Sequence, residues 1–164
     1  MIFVTVGTNE ATFDRLLRAV AVLEPRADVV VQHGHSSALA PSGATVIPFL
    51  SFDEMSELVR NADAVVTHAG VGSNLLALTN GKRPIVVPRR KQFGEAVDDH
   101  QVELGQRLAA SGLVTFVDSP SDLGSALEGH RSRVKPVSLS SSLSAELRSF
   151  LAAAIGPSLE TVDR

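Results

Sequence analysis

The sequence contains no cysteine, no tryptophan and no tyrosine. Lack of Cys excludes disulfides, thiolate nucleophiles and Cys-based zinc sites, and is in keeping with a reducing compartment. With Trp and Tyr missing, stacking on a base or a sugar falls to the seven Phe and five His residues. Basic charge is not in excess: 15 Lys and Arg face 18 Asp and Glu, for a net charge of −3. That balance lacks the basic face of a nucleic-acid binder, so no nucleic-acid partner is expected. No apolar run reaches the roughly 18 residues of a membrane span. The N-terminus opens on a strand-like run, Ile2 to Val6, rather than on a secretory signal. A GxGxxG dinucleotide fingerprint is also missing, which argues against a nicotinamide-dependent enzyme. What remains is 164 residues, 44% apolar and 20% charged, the profile of one globular domain.

The apolar pattern alternates between two periods. Short β-branched runs at Ile2–Val6, Asp28–Gln32, Thr45–Ile47, Ala64–Thr67, Ile85–Val87 and Leu113–Val117 read as strands. Between them lie helical patterns. Phe13, Leu16, Leu17, Val20 and Leu23 mark the first, which Pro25 stops. Ser51 and Glu54 have capping-box spacing and open the second. The third runs to about Asn80, with Gly81 as its C′ residue. A fourth spans Val97–Ser111 and a short one Pro120–Leu127. Gly129–Pro136 reads as irregular, and Ser140–Ile155 as a final amphipathic helix. Strands alternating with helices imply an α/β fold, a Rossmann-like parallel sheet with helices on both faces. The domain is expected to run over 1–155, with 156–164 as a tail.

In such sheets ligands bind beyond the carboxyl ends of the strands. Five polar or Gly-rich loops fall there: Gly7-Thr8-Asn9, His33–Ser37, Phe49-Leu50, His68–Ser73 and Arg89–Gln101. The stretch from Ala64 to Leu75 is the most informative. A buried strand passes through Gly70 and Gly72 into a helix, which gathers unpaired N–H groups and a helix dipole at one point. Such a point attracts an anion, most often phosphate, or is simply a tight turn. Ser73 either caps that helix or donates its hydroxyl to a ligand. Gly7-Thr8-Asn9 is either a first phosphate position or a turn capped by Thr8 or Asn9. His33 and His35 lack a carboxylate or thiolate at ligand spacing, so they read as rim residues and no metal is expected. His68 reads as a ligand contact or as a core histidine bound to backbone. Asp98-Asp99-His100-Gln101 offers carboxylates and an amide suited to sugar hydroxyls, in a position where a helix start also favours acids. Arg89, Arg90 and Lys91 either balance phosphate charge or form a solvated loop.

Taken together, Val4-Thr5-Val6-Gly7-Thr8, His68-Ala69-Gly70-Val71-Gly72-Ser73, Gly81–Arg89, Gly94-Glu95 and Val97-Asp98-Asp99-His100-Gln101 resemble glycosyltransferase family 28. The likeness covers roughly Met1 to Val117. It is to the stand-alone form of that family's C-terminal domain, as in the catalytic subunit of two-part UDP-N-acetylglucosamine transferases and their bacterial exopolysaccharide counterparts. The resemblance implies the C-terminal, donor half of a GT-B fold, binding a UDP-sugar without a cofactor or metal. Phosphates would lie against Gly7-Thr8 and the helix start at Gly72-Ser73, with Asn9, His68, Gly70 and Arg89 also among the substrate-binding residues. Uracil would lie at Phe49 and Leu50, and donor-sugar hydroxyls at Asp99, His100 and Gln101. A membrane-anchored partner subunit would hold a lipid-linked acceptor and supply the base, with His68 as an alternative base. The chain would then be cytoplasmic, peripheral at the membrane through that partner, and able to self-associate when isolated. Ser140–Ile155 is the expected partner contact. Leu76 stands where several relatives carry a ribose-binding Glu, so ribose is expected to be held otherwise or more weakly; Ala96 stands where bacterial relatives often carry His, a second contact this chain departs from. The alternative is a catalytically silent UDP-sugar-binding module that regulates or scaffolds a partner.

Overall fold

Among the described residues the apolar runs form one six-stranded sheet, every strand parallel to its neighbours. A computed structural model describes residues 1–23 and 28–131. The strands are β1 (Ile2–Thr5), β2 (Val29–Gln32), β3 (Thr45–Ile47), β4 (Ala64–Thr67), β5 (Ile85–Val86) and β6 (Thr115–Phe116). The helices are α1 (Asp14–Ala21), α2 (Phe52–Asn61), α3 (Val71–Thr79), α4 (His100–Ala110) and α5 (Leu123–Arg131). Strand order is β3-β2-β1-β4-β5-β6. The chain therefore leaves β1 toward one edge, returns past it to β4, and continues to the other edge. The reversal falls between β1 and β4, which pair in register from Ile2↔Ala64 to Thr5↔Thr67.

All four residues of β1 and of β4 are buried, as strands covered on both faces must be. Alternate residues serve opposite faces. Ile2, Val4, Val66 and Ile85 pack with Phe13, Leu16, Val20 and Leu123, so α1 and α5 cover one face. Phe3 and Val65 pack with Val59, Leu76 and Ala77, and Val86 with Leu78 and Leu108, so α2, α3 and α4 cover the other. The expected capping box is present: Glu54 N–H donates to Ser51 Oγ at 3.3 Å and Ser51 N–H to Glu54 Oε2 at 2.8 Å. Among the described residues no helix is long and apolar enough to cross a membrane.

Two sequence expectations shift. α4 begins at His100 rather than Val97, which is exposed. Before it, Lys91 N–H donates to Asp99 Oδ1 at 3.0 Å and His100 N–H to Asp98 Oδ1 at 3.1 Å, local bonds that compete with a helical turn. Residues Gly129 to Arg131 belong to α5 and are not irregular. Leu76 packs in the core with Phe3 and Val59. The expected Pro25 stop, helix Ser140–Ile155 and tail 156–164 lie outside the described residues.

Candidate functional site

At the reversal point the turn after β1 and the turn after β4 meet on one imidazole. Gly7 has φ +77°, a conformation that favours glycine. A Cβ added there would lie 2.6 Å from His68 Cε1; one added at Gly70 would lie 2.1 Å from His68 Nε2. The partly buried His68 ring thus wedges between two backbones that only glycine lets approach. Burial and the nearby Arg89 guanidinium push its pKa down to about 4, against a hydrogen bond to the Thr5 backbone. His68 is therefore a neutral imidazole at neutral pH, one nitrogen a donor and the other an acceptor. That pKa makes it a poor general base there.

Beside this wedge α3 starts. Its N-cap is Gly70, with no side-chain cap, so the expected capping role of Ser73 is not taken: Ser73 lies in the first turn of the helix. A Cβ at Gly72 meets nothing within 4 Å. The fold itself gives Gly72 no steric reason to be glycine, and it lies in the first turn of a helix whose N-cap makes no side-chain hydrogen bond. Asn74, which the sequence reading did not single out, braces the turn: its Nδ2 donates to Gly70 O at 2.9 Å and His68 O at 3.4 Å.

Gly7-Thr8-Asn9 does not open α1 directly. Asn9 Oδ1 accepts from Ala11 N–H at 2.8 Å in a side-chain turn, and α1 begins at Asp14 after Phe13. Thr8 and Asn9 are exposed beyond the carboxyl end of β1. After β3, Phe49 is about half exposed and stands edge-on to His35 at 5.1 Å, while Leu50 packs on the α2 side of the core. His33 turns its Nδ1 to Ser36 O at 2.9 Å.

Arg89 corrects an expectation. It is fully buried, and its guanidinium donates to Val6 O (2.9 Å), Ala11 O (2.7 Å), Thr12 O (3.3 Å) and Glu95 O (3.2 Å). The charge meets the main chain of the β1–α1 connection and stacks on Phe13, so it is not at a surface where phosphate could touch it. Its place is in the frame beneath the site. Glu95, also buried, accepts from Arg15 through both oxygens (2.9 and 2.8 Å) and from Arg90 N–H (3.0 Å). Gln101 Oε1 accepts from Arg89 N–H at 3.2 Å, tying the β5–α4 connection together. Asp99 and His100 are exposed. His100 pairs with Asp98 at 2.8 Å, and its backbone N–H leads the interactions that hold the Asp98 carboxyl below its usual range.

The structure thus gathers Gly7, His68, Gly70, Gly72 and Ser73 around the β1–β4 reversal. Phe49-Leu50 follows β3, and Asp99-His100-Gln101 lies on the β5–α4 side. A separate open cavity of about 430 Å³ lies between α1, the β5–α4 connection and the segment after β6, lined by Arg15, Arg90, Phe93 and Asp118.

Comparison with known proteins bears on the family and the fold. The glycosyltransferase family 28 C-terminal domain model matches residues 1–139. UDP-N-acetylglucosamine transferase subunit ALG13 from Homo sapiens is 30% identical over 127 residues, covering 70% of this chain and 11% of that protein. The Mus musculus subunit is 32% identical over the same length, covering 10% of that protein. The chain therefore spans only a small part of these relatives. Among solved structures, the calicheamicin glycosyltransferase CalG4 superposes with a TM-score of 0.60 at 16% identity, over 94% of this chain and 37% of that one. The glycosyltransferase SnogD from Streptomyces nogalater gives 0.59 at 19% identity, over 92% and 38%. These likenesses show the fold, the C-terminal half of a GT-B arrangement. With the family model spanning most of its length, this chain belongs to glycosyltransferase family 28 through that family's C-terminal domain.

Proposed function

We propose that this chain is the donor-binding subunit of a two-part glycosyltransferase, transferring a sugar from a UDP-sugar to a lipid-linked acceptor in polysaccharide or glycolipid synthesis. The observation that carries the reading is Gly72: a glycine with open space over its Cβ position, at an uncapped helix N-terminus beside the β1–β4 reversal. The pyrophosphate lies against Gly7, Thr8 and the start of α3 at Gly72 and Ser73. Uracil lies at Phe49-Leu50 and the donor sugar at Asp99, His100 and Gln101.

In the reaction the acceptor hydroxyl oxygen bonds to the anomeric carbon as the bond from that carbon to the phosphate oxygen breaks. UDP leaves with the electron pair, and the hydroxyl proton passes to a base. Main-chain N–H groups and the α3 dipole stabilise the charge growing on UDP, so the reading calls for no metal or other cofactor. The depressed pKa of His68 suits a neutral hydrogen-bonding group better than a base. We therefore place the base, with the acceptor, on a membrane-anchored partner subunit that completes the cleft. The chain then works at the cytoplasmic face of a membrane. The ALG13 relatives are named as subunits, which supports a partner.

The test adds the purified chain to membranes from cells lacking its gene, with a panel of radiolabelled UDP-sugars. Label is expected in the lipid extract with one of them, and only when the chain is added. A chain that binds UDP yet never promotes transfer would overturn the enzyme reading in favour of a silent binding module.

A further inference from the structure

Gln32 closes β2 opposite Thr5 in the sheet register and is 1% exposed. All four hydrogen-bonding positions of its amide are used. Oε1 accepts from Thr5 Oγ1 at 2.6 Å and from Gly7 N–H at 3.2 Å. Nε2 donates to Gly7 O at 3.1 Å and to Pro48 O at 2.9 Å. The oxygen faces two donors and the nitrogen two acceptors, so the amide fits in one orientation only. One rigid planar group therefore holds both backbone atoms of Gly7, in the proposed phosphate turn, and the carbonyl just before Phe49-Leu50, the proposed uracil position. Neighbours close the same joint. Gly34 N–H donates to Pro48 O at 2.9 Å, and a Cβ on Gly34 would lie 2.7 Å from Gly7 O.

We infer that Gln32 is a positioning residue that sets the spacing between the phosphate turn and the base turn, although it touches neither phosphate nor base itself. This rests on the proposed donor site. UDP bridges both turns, so its affinity depends on their separation being held before it binds. A ligand that fills one turn alone is indifferent to that separation. Loss of Gln32 should therefore weaken the bridging ligand far more than either half.

The test uses Gln32→Met, which keeps length and removes all four bonds, and Gln32→Glu, which sets a carboxyl against the Gly7 and Pro48 carbonyls. Thr5→Val, which removes the hydroxyl that donates to Oε1 and accepts from Gly7 N–H at 3.2 Å, serves if the first two do not fold. UDP, uridine and inorganic pyrophosphate are titrated separately by NMR, at a temperature where circular dichroism shows each variant folded. Expected is a UDP Kd raised about tenfold or more in the Gln32 variants and less in Thr5→Val, with uridine and pyrophosphate changed less than about twofold. Unchanged UDP affinity in a folded variant overturns the inference. So does an equal loss for all three ligands, which would mark a purely structural role. A wild-type chain that binds none of the three overturns the donor-site reading, and this inference with it.

Discussion

The imidazole of His68 lies so close to Gly70 that a Cβ on that glycine would stand 2.1 Å from Nε2, whereas a Cβ on Gly72, two residues on, meets nothing within 4 Å. One glycine is there for the fold and the other, in this account, for the ligand. Gly70→Ala should displace His68 and destabilise the chain by about 1–3 kcal/mol, the usual cost of overpacking. Urea titration measures it.

Gly72→Ala should do the opposite to stability. Replacing glycine inside a helix contributes roughly 0.5–1 kcal/mol, so the melting temperature should hold or rise. UDP affinity should fall, by about tenfold, because the new methyl holds phosphate off the helix N–H groups. Calorimetry of the same sample reads both effects. A stabilised variant with undiminished affinity would contradict the phosphate placement.

Arg89→Lys should be strongly destabilising, by about 3 kcal/mol or more, because an ammonium cannot replace a fork that reaches four carbonyls. Asp99→Ala, at an exposed position, should change stability by less than about 1 kcal/mol. Its effect should appear as weaker binding of the UDP-sugar relative to UDP. Denaturant midpoints and paired titrations separate the two.

His68 gives a pH dependence with a definite sign. Its folded pKa, about 4, is below the ordinary value of 6.5, so between these the unfolded chain binds the extra proton. The associated stability is fully present above pH 6.5 and is lost as pH falls toward 4. It amounts to about 3 kcal/mol. The half-buried His130, also shifted down, first by burial, acts in the same direction. Unfolding free energy measured from pH 7 to 4.5 should fall, and should fall less steeply in His68→Gln.

Much of the fold was legible because it is written locally. β-branched runs, the Ser51–Glu54 box and the Gly81 turn each lie within a few residues of what they control. The glycine turns of the site were legible for the same reason. Arg89 was not. Its place in a run of three basic residues suggests a solvated or phosphate-facing loop, but three of its four carbonyl partners stand 77 to 83 positions earlier in the chain. Burial of a charge depends on carbonyls that only the folded β1–α1 connection turns toward it. Gln32 was missed likewise: at the end of an apolar strand an amide looks like a surface cap, and its role appears only when Gly7 and Pro48 converge on it. Glu95 sat in a recognised motif, yet its pairing with Arg15 across 80 positions carries no local signal.

The central claim is that main-chain N–H groups at Thr8, just after β1, and in the first turn of α3 hold a pyrophosphate, with the Gly7 N–H itself given to Gln32. Amide NMR of the isotope-labelled chain titrated with UDP tests it most directly. The account predicts large, saturable shifts at Gly7, Thr8, Gly72 and Ser73, with uridine alone moving the Leu50 region and leaving Gly72 in place. Saturation with UDP that leaves the Thr8 and Gly72 amides unmoved would contradict it.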